Sequence, residues 1–375
     1  MADASSTEKS DAERVEILDR MLTRLALTDD PNLQNLLSKL LPYSISSLSS
    51  HSTAYSWCRS VVDYRLVNML NYYLNNTMLV LLKMTRNSVM EILTHVNKRV
   101  KHQMDIGLPL SELWKIFIDS NTAPMVKNFC IVYIEMGFER LCEEEKISMA
   151  PMLVSSVSKL SPQHQDLILR LSVKVIGECH STQINEEVSS NYRLMDDALG
   201  IQLFVEFCLQ TLLHQPLSQG MGSPAGLSIA QLDRISGKNP PRGDAFLMRK
   251  LGILNVIETM ALNAELVYPI YLAACSDSLE PVVKKGEVLL KKAVGANLED
   301  MTLIKRLFLL FIGTIGVENI PPESRVNPVN MSMKARLMSV FCRSIVATNS
   351  FPSTLQCIFG CIYGEFKLLS FFSFL

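Results

Sequence analysis

Residues 30–42 read DPNLQNLLSKLLP, and this stretch decides the fold. Asp30 and Pro31 are the residue types that favour a helix start, because an N-cap acceptor precedes a proline that needs no backbone donor. The leucines that follow form one apolar stripe at helical spacing: Leu33, Leu36, Leu37, Leu40 and Leu41. The stretch therefore predicts an amphipathic helix that carries a proline, Pro42, between apolar neighbours.

Apolar stripes with the same helical period recur along the chain. They include Val15–Leu25, Leu167–Val175, Ile304–Phe311 and a stripe from Met333 to Ile345. Strand-like alternation bounded by hairpin turns is essentially absent. Apolar residues make up 48% of the chain but aromatic residues only 7%, a composition that suits helix-on-helix packing. We therefore expect an all-α fold.

The predicted helices fall into two alternating types. The first type has a proline inside the helix: Leu41-Pro42-Tyr43, Ala150-Pro151-Met152 and Tyr268-Pro269-Ile270. Such a proline bends a helix, so its recurrence indicates a repeated kinked helix. The second type opens with Arg86, Lys127 or Lys334 and has apolar residues three, six and seven positions later, and Asp277–Val294 is a fourth candidate. The spacing from Arg86 to Lys127 matches the period of about 40–47 residues in HEAT and armadillo repeats, which predicts an α-solenoid of helical hairpins.

Residues 51–85 interrupt this alternation, because the connection between the first two repeat helices should be short. Their removal brings the separation of Pro42 and Pro151 close to two regular repeats. We hypothesise that the segment is foreign to the repeat, as a retained intron or an alternative exon. The alternative is a genuine inserted helix over about Val61–Leu82. Residues 365–375 are interpreted as a similarly foreign tail that leaves the last helix pair unfinished.

The remaining chain divides by composition. We expect residues 1–11 to be a disordered N-terminus, residues 12–213 to form repeats around the insert, and residues 244–364 to form further repeats. Residues 214–243 are rich in Gly, Pro and Ser and are predicted to form a flexible loop.

Cysteine usage and apolar run lengths indicate the compartment. The nine cysteines are scattered and mostly lie in apolar runs, as is typical of reduced thiols in the cytosol or nucleus. No apolar signal region follows the N-terminus. The uncharged run Leu307–Val317 is shorter than the roughly 20 residues of a membrane span, so we favour a core helix. We expect a cytoplasmic and nuclear protein.

The sequence contains no constellation typical of catalysis or of a cofactor. The six histidines form no ligand pair at helical spacing, and neither Cys179-His180 nor the pair Cys357 and Cys361 has the further ligands that zinc requires. Gly220–Gly226 imitates a phosphate loop, but no strand precedes it and Pro224 interrupts it. We predict no catalytic, cofactor-binding or metal-binding residue, no enzyme and no small-molecule substrate.

Charge gives little further indication of a partner. The net charge of −1 offers no electrostatic argument for nucleic acid or an anionic membrane. The acidic run Glu143–Glu145 is predicted to open a helix and the basic run Lys98–His102 to close one, because the helix dipole favours those signs. A docking patch for an acidic partner is the alternative interpretation of Lys98–His102. No binding residue is assigned.

Five blocks of the sequence resemble the family of large HEAT-repeat proteasome adapter and scaffold proteins: Arg20–Asp30, Leu33–Pro42, Val89–Arg99, Asn128–Gly137 and Phe351–Gln356. The similarity covers about residues 12–50 and 86–364. It resumes at Arg86, where the family continues directly from the region of Ser50, which supports the interpretation of a foreign insert.

The resemblance implies a non-enzymatic scaffold that binds the 26S proteasome. It implies that the scaffold helps to hold the core and regulatory particles together and takes part in proteasome quality control. Members of the family are several times longer, so the chain is expected to be an N-terminal fragment. The alternative is another α-solenoid scaffold, such as a transport receptor or a phosphatase scaffold subunit.

Overall fold

The fold is all-α, as predicted. The computed structural model describes residues 11–48, 67–101, 103–179, 186–193, 196–214, 227, 229–237, 243–293, 296–312 and 330–350. In those residues the structure has sixteen α-helices, a short 3-10 helix and no strand. The chain divides into two compact units, residues 1–142 and 143–375. Most of the predicted disordered N-terminus and the whole tail 365–375 lie outside the described residues.

The described part of the first unit contains five helices: α1 Asp11–Leu27, α2 Asp30–Ser47, α3 Val67–Val100, α4 Leu110–Ile118 and α5 Pro124–Arg140. Helix α1 packs along α3, α2 contacts α3 and α4, and α4 pairs with α5. The short connection between α4 and α5 makes them a helical hairpin.

The second unit contains eleven described helices: α6 Glu143–Val154, α7 Pro162–Glu178, α8 Glu186–Arg193, α9 Ala198–Leu213, α10 Ile229–Ser236, α11 Asp244–Thr259, α12 Ala264–Cys275, α13 Glu280–Lys292, α14 Met301–Ile312, α15 Met331–Phe341 and α16 Ile345–Ser350. The hairpins are α6–α7, α9–α11 with α10 in its connection, α12–α13 and α14–α15. Their second helices stack in a row, with α7 on α11 and α11 on α13, and their first helices stack in a parallel row, with α9 on α12 and α12 on α14. Stacked hairpins of this kind are the α-solenoid arrangement.

The predicted apolar stripes form the core of these helices. Leu33, Leu37 and Leu40 of the opening stretch have no exposed surface. The prediction is wrong for one residue of these stripes, Ile345. Ile345 is 69% exposed, because a turn at residues 342–343 ends α15 and Ile345 begins α16 on a new axis.

The three predicted prolines inside helices are confirmed. Pro42, Pro151 and Pro269 lie inside α2, α6 and α12, which are followed by the helices α3, α7 and α13. Lys127 and Lys334 lie in the first turns of α5 and α15. Arg86 does not open its helix, because α3 begins well before it.

The repeat period is visible in the hydrogen bonds. Three bonds each join residues 40 positions apart: Tyr133 Oη to the carbonyl of Leu93 (3.4 Å), Arg140 Nη2 to the carbonyl of Val100 (2.8 Å), and Arg306 Nη1 to the carbonyl of Leu266 (3.5 Å). In each bond a side chain donates to the helix at the equivalent place in the preceding repeat. The predicted period is therefore confirmed in each of the two units.

Helix α3 includes the second half of the segment that the repeat pattern marked as foreign. Residues 67–85 contain no glycine or proline, so nothing interrupts helix propagation from Val67 to Val100. The backbone of residues 67–85 thus agrees with the alternative of a genuine inserted helix. Residues 51–66 lie outside the described residues, and the foreign origin of the segment stays a prediction.

The first helix is docked on α3, as expected for a repeat that survives the interruption. Ser88 Oγ lies 3.3 Å from a carboxylate oxygen of Asp19, and Arg99 Nη1 donates to the carbonyl of Leu25 at 2.8 Å. From the first bond to the second, the residue number rises in both helices, from Asp19 to Leu25 in α1 and from Ser88 to Arg99 in α3. Helices α1 and α3 therefore run parallel, as the second helices of successive hairpins do.

The predicted loop 214–243 is helical in part. Helix α10 lies within it and packs against α7 and α9. Its Ile235 is 2% exposed, and Leu227, which precedes the helix, is 1% exposed. These buried aliphatic side chains explain why the segment is ordered there despite its Gly, Pro and Ser content.

Two glycines allow α7 and α11 to approach closely. A Cβ atom at Gly177 would lie 2.6 Å from the Cα atom of Arg249, and one at Gly252 would lie 2.9 Å from the carbonyl carbon of Ile176. Real Cβ atoms essentially never approach backbone this closely, so any side chain would push the helices apart.

We predict that Gly252→Val lowers the free energy of unfolding by roughly 1–3 kcal/mol, since overpacking a helix contact costs that much. Urea denaturation followed by circular dichroism measures the change. Ala335→Val on the exposed side of α15 is the matched control and should change stability by less than about 0.5 kcal/mol. Equal stability of wild type and Gly252→Val would contradict the close packing of α7 and α11.

Candidate interaction surfaces

A buried ion pair joins three parts of the second unit. Lys250 lies on α11, Asp277 lies in the turn before α13, and neither side chain has exposed surface. Lys250 Nζ donates to the Asp277 carboxylate and, at 2.9 Å, to the carbonyl of Leu212 in the last turn of α9. The other carboxylate oxygen of Asp277 accepts from the backbone N–H of Leu279 at 2.9 Å. Because each charge has several partners, the pair fixes how α9, α11 and α13 meet.

Two rings cover this ion pair. Lys250 Nζ lies 4.5 Å from the ring centroid of Phe246, and the His214 ring meets Phe246 edge-on at 5.2 Å. Burial, together with the charges of Lys250 and Arg249, lowers the pKa of His214 to about 4. His214 is therefore neutral at physiological pH. Burial also lowers the pKa of Lys250, while Asp277 acts in the opposite direction.

We predict that Lys250→Met lowers the free energy of unfolding by about 3–5 kcal/mol, because it leaves the Asp277 carboxylate buried without its cation. The double variant Lys250→Met/Asp277→Leu should lose less than Lys250→Met alone. Lys284→Met is the matched control. Its pair with Glu280 is 73% and 77% exposed, and its removal should change stability by less than about 0.5 kcal/mol. A double variant less stable than the single variant would contradict the account of the pair.

His214 makes stability depend on pH in a defined window. In the unfolded chain His214 binds a proton below its ordinary pKa of 6.5, whereas in the folded chain it does so only near 4. Its contribution is therefore fully present above pH 6.5 and is lost as pH falls towards 4, by on the order of 3 kcal/mol. The wild type should lose that much more stability than His214→Gln between pH 7 and pH 4. Chemical denaturation at each pH measures it, with His95→Gln at an exposed position as control.

A polar cleft of about 580 Å³ lies beside the turn between α6 and α7. Its lining is mostly polar: Pro151, Met152, Ser155, Ser158, Lys159, Asn191, Asp196 and Asp197. Asp197 accepts hydrogen bonds from Ser158 Oγ at 2.6 Å and from the Gly200 N–H at 2.9 Å. Burial opposes its ionisation, but these hydrogen bonds lower its pKa overall. Asp197 therefore serves to start α9 and to hold the adjoining turn.

Helix α10 covers a groove between α7 and α9. Arg234 Nε is paired with the carboxylate of Asp166 on α7, and its guanidinium lies 5.4 Å from the ring centroid of Phe207 on α9. These two contacts, with the buried Ile235, hold the helix in place.

The charged runs lie where the sequence placed them. Glu143–Glu145 form the first turn of α6, and Lys98 and Arg99 lie in the last turn of α3, which confirms both helix-end predictions. Arg99 also bonds the last turn of α1. Lys98 and Lys101 are exposed, and the alternative of a docking patch for an acidic partner stays open.

Cys179 directly follows the last residue of α7 and is its C-cap. Its Sγ donates to the carbonyl of Glu143 at 3.4 Å, and burial raises its pKa to about 11, so the thiol is protonated at neutral pH. Among the described residues no group of three His, Cys, Asp or Glu could hold a metal ion. His180, Gly220–Gly226, Cys357 and Cys361 lie outside the described residues.

No described helix is long and apolar enough to cross a membrane.

Sequence reasoning missed the ion pairs of Lys250 and Arg234. Arg249 and Lys250 are the only charged residues between Asp244 and Glu258, and a charge within such an apolar run is a signal for a buried partner. The identity of that partner has no comparable signal, because Asp277 is 27 positions away.

These stacked hairpins, fastened by polar contacts between successive repeats, define a helical-repeat protein of the α-solenoid class. The profile of the family described as Proteasome component ECM29, N-terminal, matches residues 61–370, and the chain belongs to this family. The predicted resemblance to this family is thereby confirmed, and three of the five sequence blocks, Val89–Arg99, Asn128–Gly137 and Phe351–Gln356, lie inside the matched range. The matched range begins inside the segment 51–85 and ends inside the tail 365–375.

Two curated relatives are similar to the chain. The human protein named proteasome adapter and scaffold protein ECM29 is 25% identical over 394 residues, which cover 96% of this chain and 20% of the human protein. The Drosophila melanogaster protein named proteasome-associated protein ECM29 homolog is 24% identical over 284 residues, which cover 73% of this chain and 15% of the fly protein. The chain thus spans about one fifth or less of the length of these relatives. No solved structure matches it.

Proposed function

We propose that this chain is a non-enzymatic scaffold that binds the 26S proteasome, in the cytoplasm and the nucleus. In this role it supports the association or quality control of the core and regulatory particles. The match to the ECM29 N-terminal family over residues 61–370 carries the proposal. The names of the human and fly relatives, a proteasome adapter and scaffold and a proteasome-associated protein, support it.

The use of polar groups in the second unit supports a scaffold over an enzyme. Lys250 and Asp277 neutralise each other in the core, and Cys179 is a protonated thiol that bonds a backbone carbonyl. Asp197 is occupied by Ser158 and Gly200. Groups that could act as nucleophile, acid or base are thus used to hold helices together. Stacked hairpins in turn present extended surfaces, which suit large protein partners.

A capture experiment tests the proposal. The epitope-tagged chain is expressed in cells and recovered, and subunits of the proteasome core and regulatory particles are quantified by mass spectrometry. We expect both particles to be enriched over a tag-only control. Gly252→Val, which disrupts the α7–α11 contact, should recover several-fold less, while Ala335→Val should match the wild type.

Two results would contradict the proposal. The first is recovery of neither particle above the tag-only control although the captured chain is folded by circular dichroism. The second is enrichment of a small GTPase or a phosphatase subunit in place of the proteasome, which would favour the alternative scaffold class.

A further inference from the structure

Helix α10 stands outside the repeat. It lies between α9 and α11, within the segment 214–243, and has only eight residues. An isolated helix of that length is unstable in water, so α10 is helical because it is docked on α7 and α9. The segment that joins it to α9 and α11 is rich in Gly, Pro and Ser, a composition typical of linkers.

The docking contact is small and combines an aliphatic anchor with a cation. Ile235 is the anchor and is 2% exposed. The neighbouring Arg234 is paired with Asp166, and the two side chains remain 25% and 31% exposed. The face of Phe207 receives the same guanidinium at 5.4 Å. A contact that rests on two buried aliphatic side chains, Ile235 and Leu227, and a partly solvated ion pair belongs to the parts of a protein that open most readily.

The surface beneath α10 is shaped for a helix. Nine residues of helix α7 are buried and five are partly exposed, and its exposed residues, Pro162, Gln163 and Glu178, lie at the two ends. Asp166 and Phe207 come from two different helices, so they define the two walls of a groove with a negative charge on one wall and an aromatic face on the other. Departure of α10 leaves α9 and α11 joined, because Lys250 still bonds the carbonyl of Leu212.

We propose that α10 is a displaceable self-ligand, and that the groove between α7 and α9 is a docking site for an amphipathic helix of a partner protein. The partner helix would carry a basic residue next to an aliphatic residue, as Arg234 and Ile235 do. The proposal goes beyond proteasome association and does not depend on it. Its consequence is that binding of the partner competes with α10 for the groove.

A peptide-binding experiment with the full chain tests this competition. The probe is a fluorescein-labelled peptide of residues 226–238, GLSIAQLDRISGK, followed by fluorescence anisotropy. The variant Ile235→Asp removes the anchor and frees the groove. We expect the probe to bind the Ile235→Asp chain at least tenfold more tightly than the wild-type chain. The same peptide with Ile235→Asp is the matched control probe and should not bind.

Reversing the charges of the Asp166–Arg234 pair tests whether the probe binds in the groove. Adding Asp166→Arg to the Ile235→Asp chain should reduce probe binding at least tenfold. A probe with Arg234→Glu should restore it on that chain and should bind poorly to the chain that retains Asp166. Hydrogen exchange tests the opening of α10 in the wild-type chain. The amides of α10 should exchange faster than those of α7.

The proposal is overturned if the probe fails to bind the Ile235→Asp chain while α7 and α9 keep their wild-type protection from exchange. Should that chain not fold, the same comparison is made on Arg234→Glu, and failure of the probe there has the same meaning. Equal binding to the wild-type and Ile235→Asp chains would also overturn the proposal, because the probe would then occupy another surface.

Discussion

The hairpins of this chain can remove their apolar faces from water only by packing against the next hairpin. Helix α7 illustrates the constraint, because nine of its residues are buried where it packs against its own partner α6, the following second helix α11, and α9 and α10. At its contact with α11, two backbones meet where Gly177 and Gly252 have no side chains. Stability in such a stack is a sum of hairpin and neighbour contributions, and no central core exists for it to depend on.

Polar contacts between successive repeats decide how the hairpins are placed. The last carbonyls of a helix have no partner within it, and cationic side chains supply partners here. Arg140 bonds the end of α3 and Arg99 bonds the end of α1, each in the preceding repeat, while Lys250 bonds the end of α9 within one repeat and pairs with Asp277 before the next second helix. Apolar stripes could slide past one another, but these directed bonds specify one register. The scaffold role proposed for the chain needs that property, since a large binding surface is useful only if its parts keep their positions.

The fold was predictable from sequence to the extent that its signals are local. The leucine stripe of α2 and the prolines of α2, α6 and α12 identify the helices and their alternation, because period and backbone chemistry act within a few residues. Helix α10 was not predicted, because its order depends on Asp166 and Phe207, which are far away in sequence. Helix α3 was expected to begin near Arg86, yet residues 67–85 are also helical. The repeat period predicts where the repeated part of a helix begins, but it does not predict an extension of that helix before the repeat. The Lys250–Asp277 pair could not be predicted before the fold was known, because its two residues are 27 positions apart in the sequence.

Hydrogen exchange with mass spectrometry tests the central claim, that each hairpin depends on its neighbours, most directly. Amide protection is compared between the wild-type chain and Gly252→Val, with peptides that report α7, α11 and α13 separately. The account predicts that the substitution in α11 also lowers protection in α7 and α13, since both bury their apolar faces against it. Loss of protection confined to α11, with α7 and α13 unchanged, would contradict the account, because the hairpins would then be independently stable.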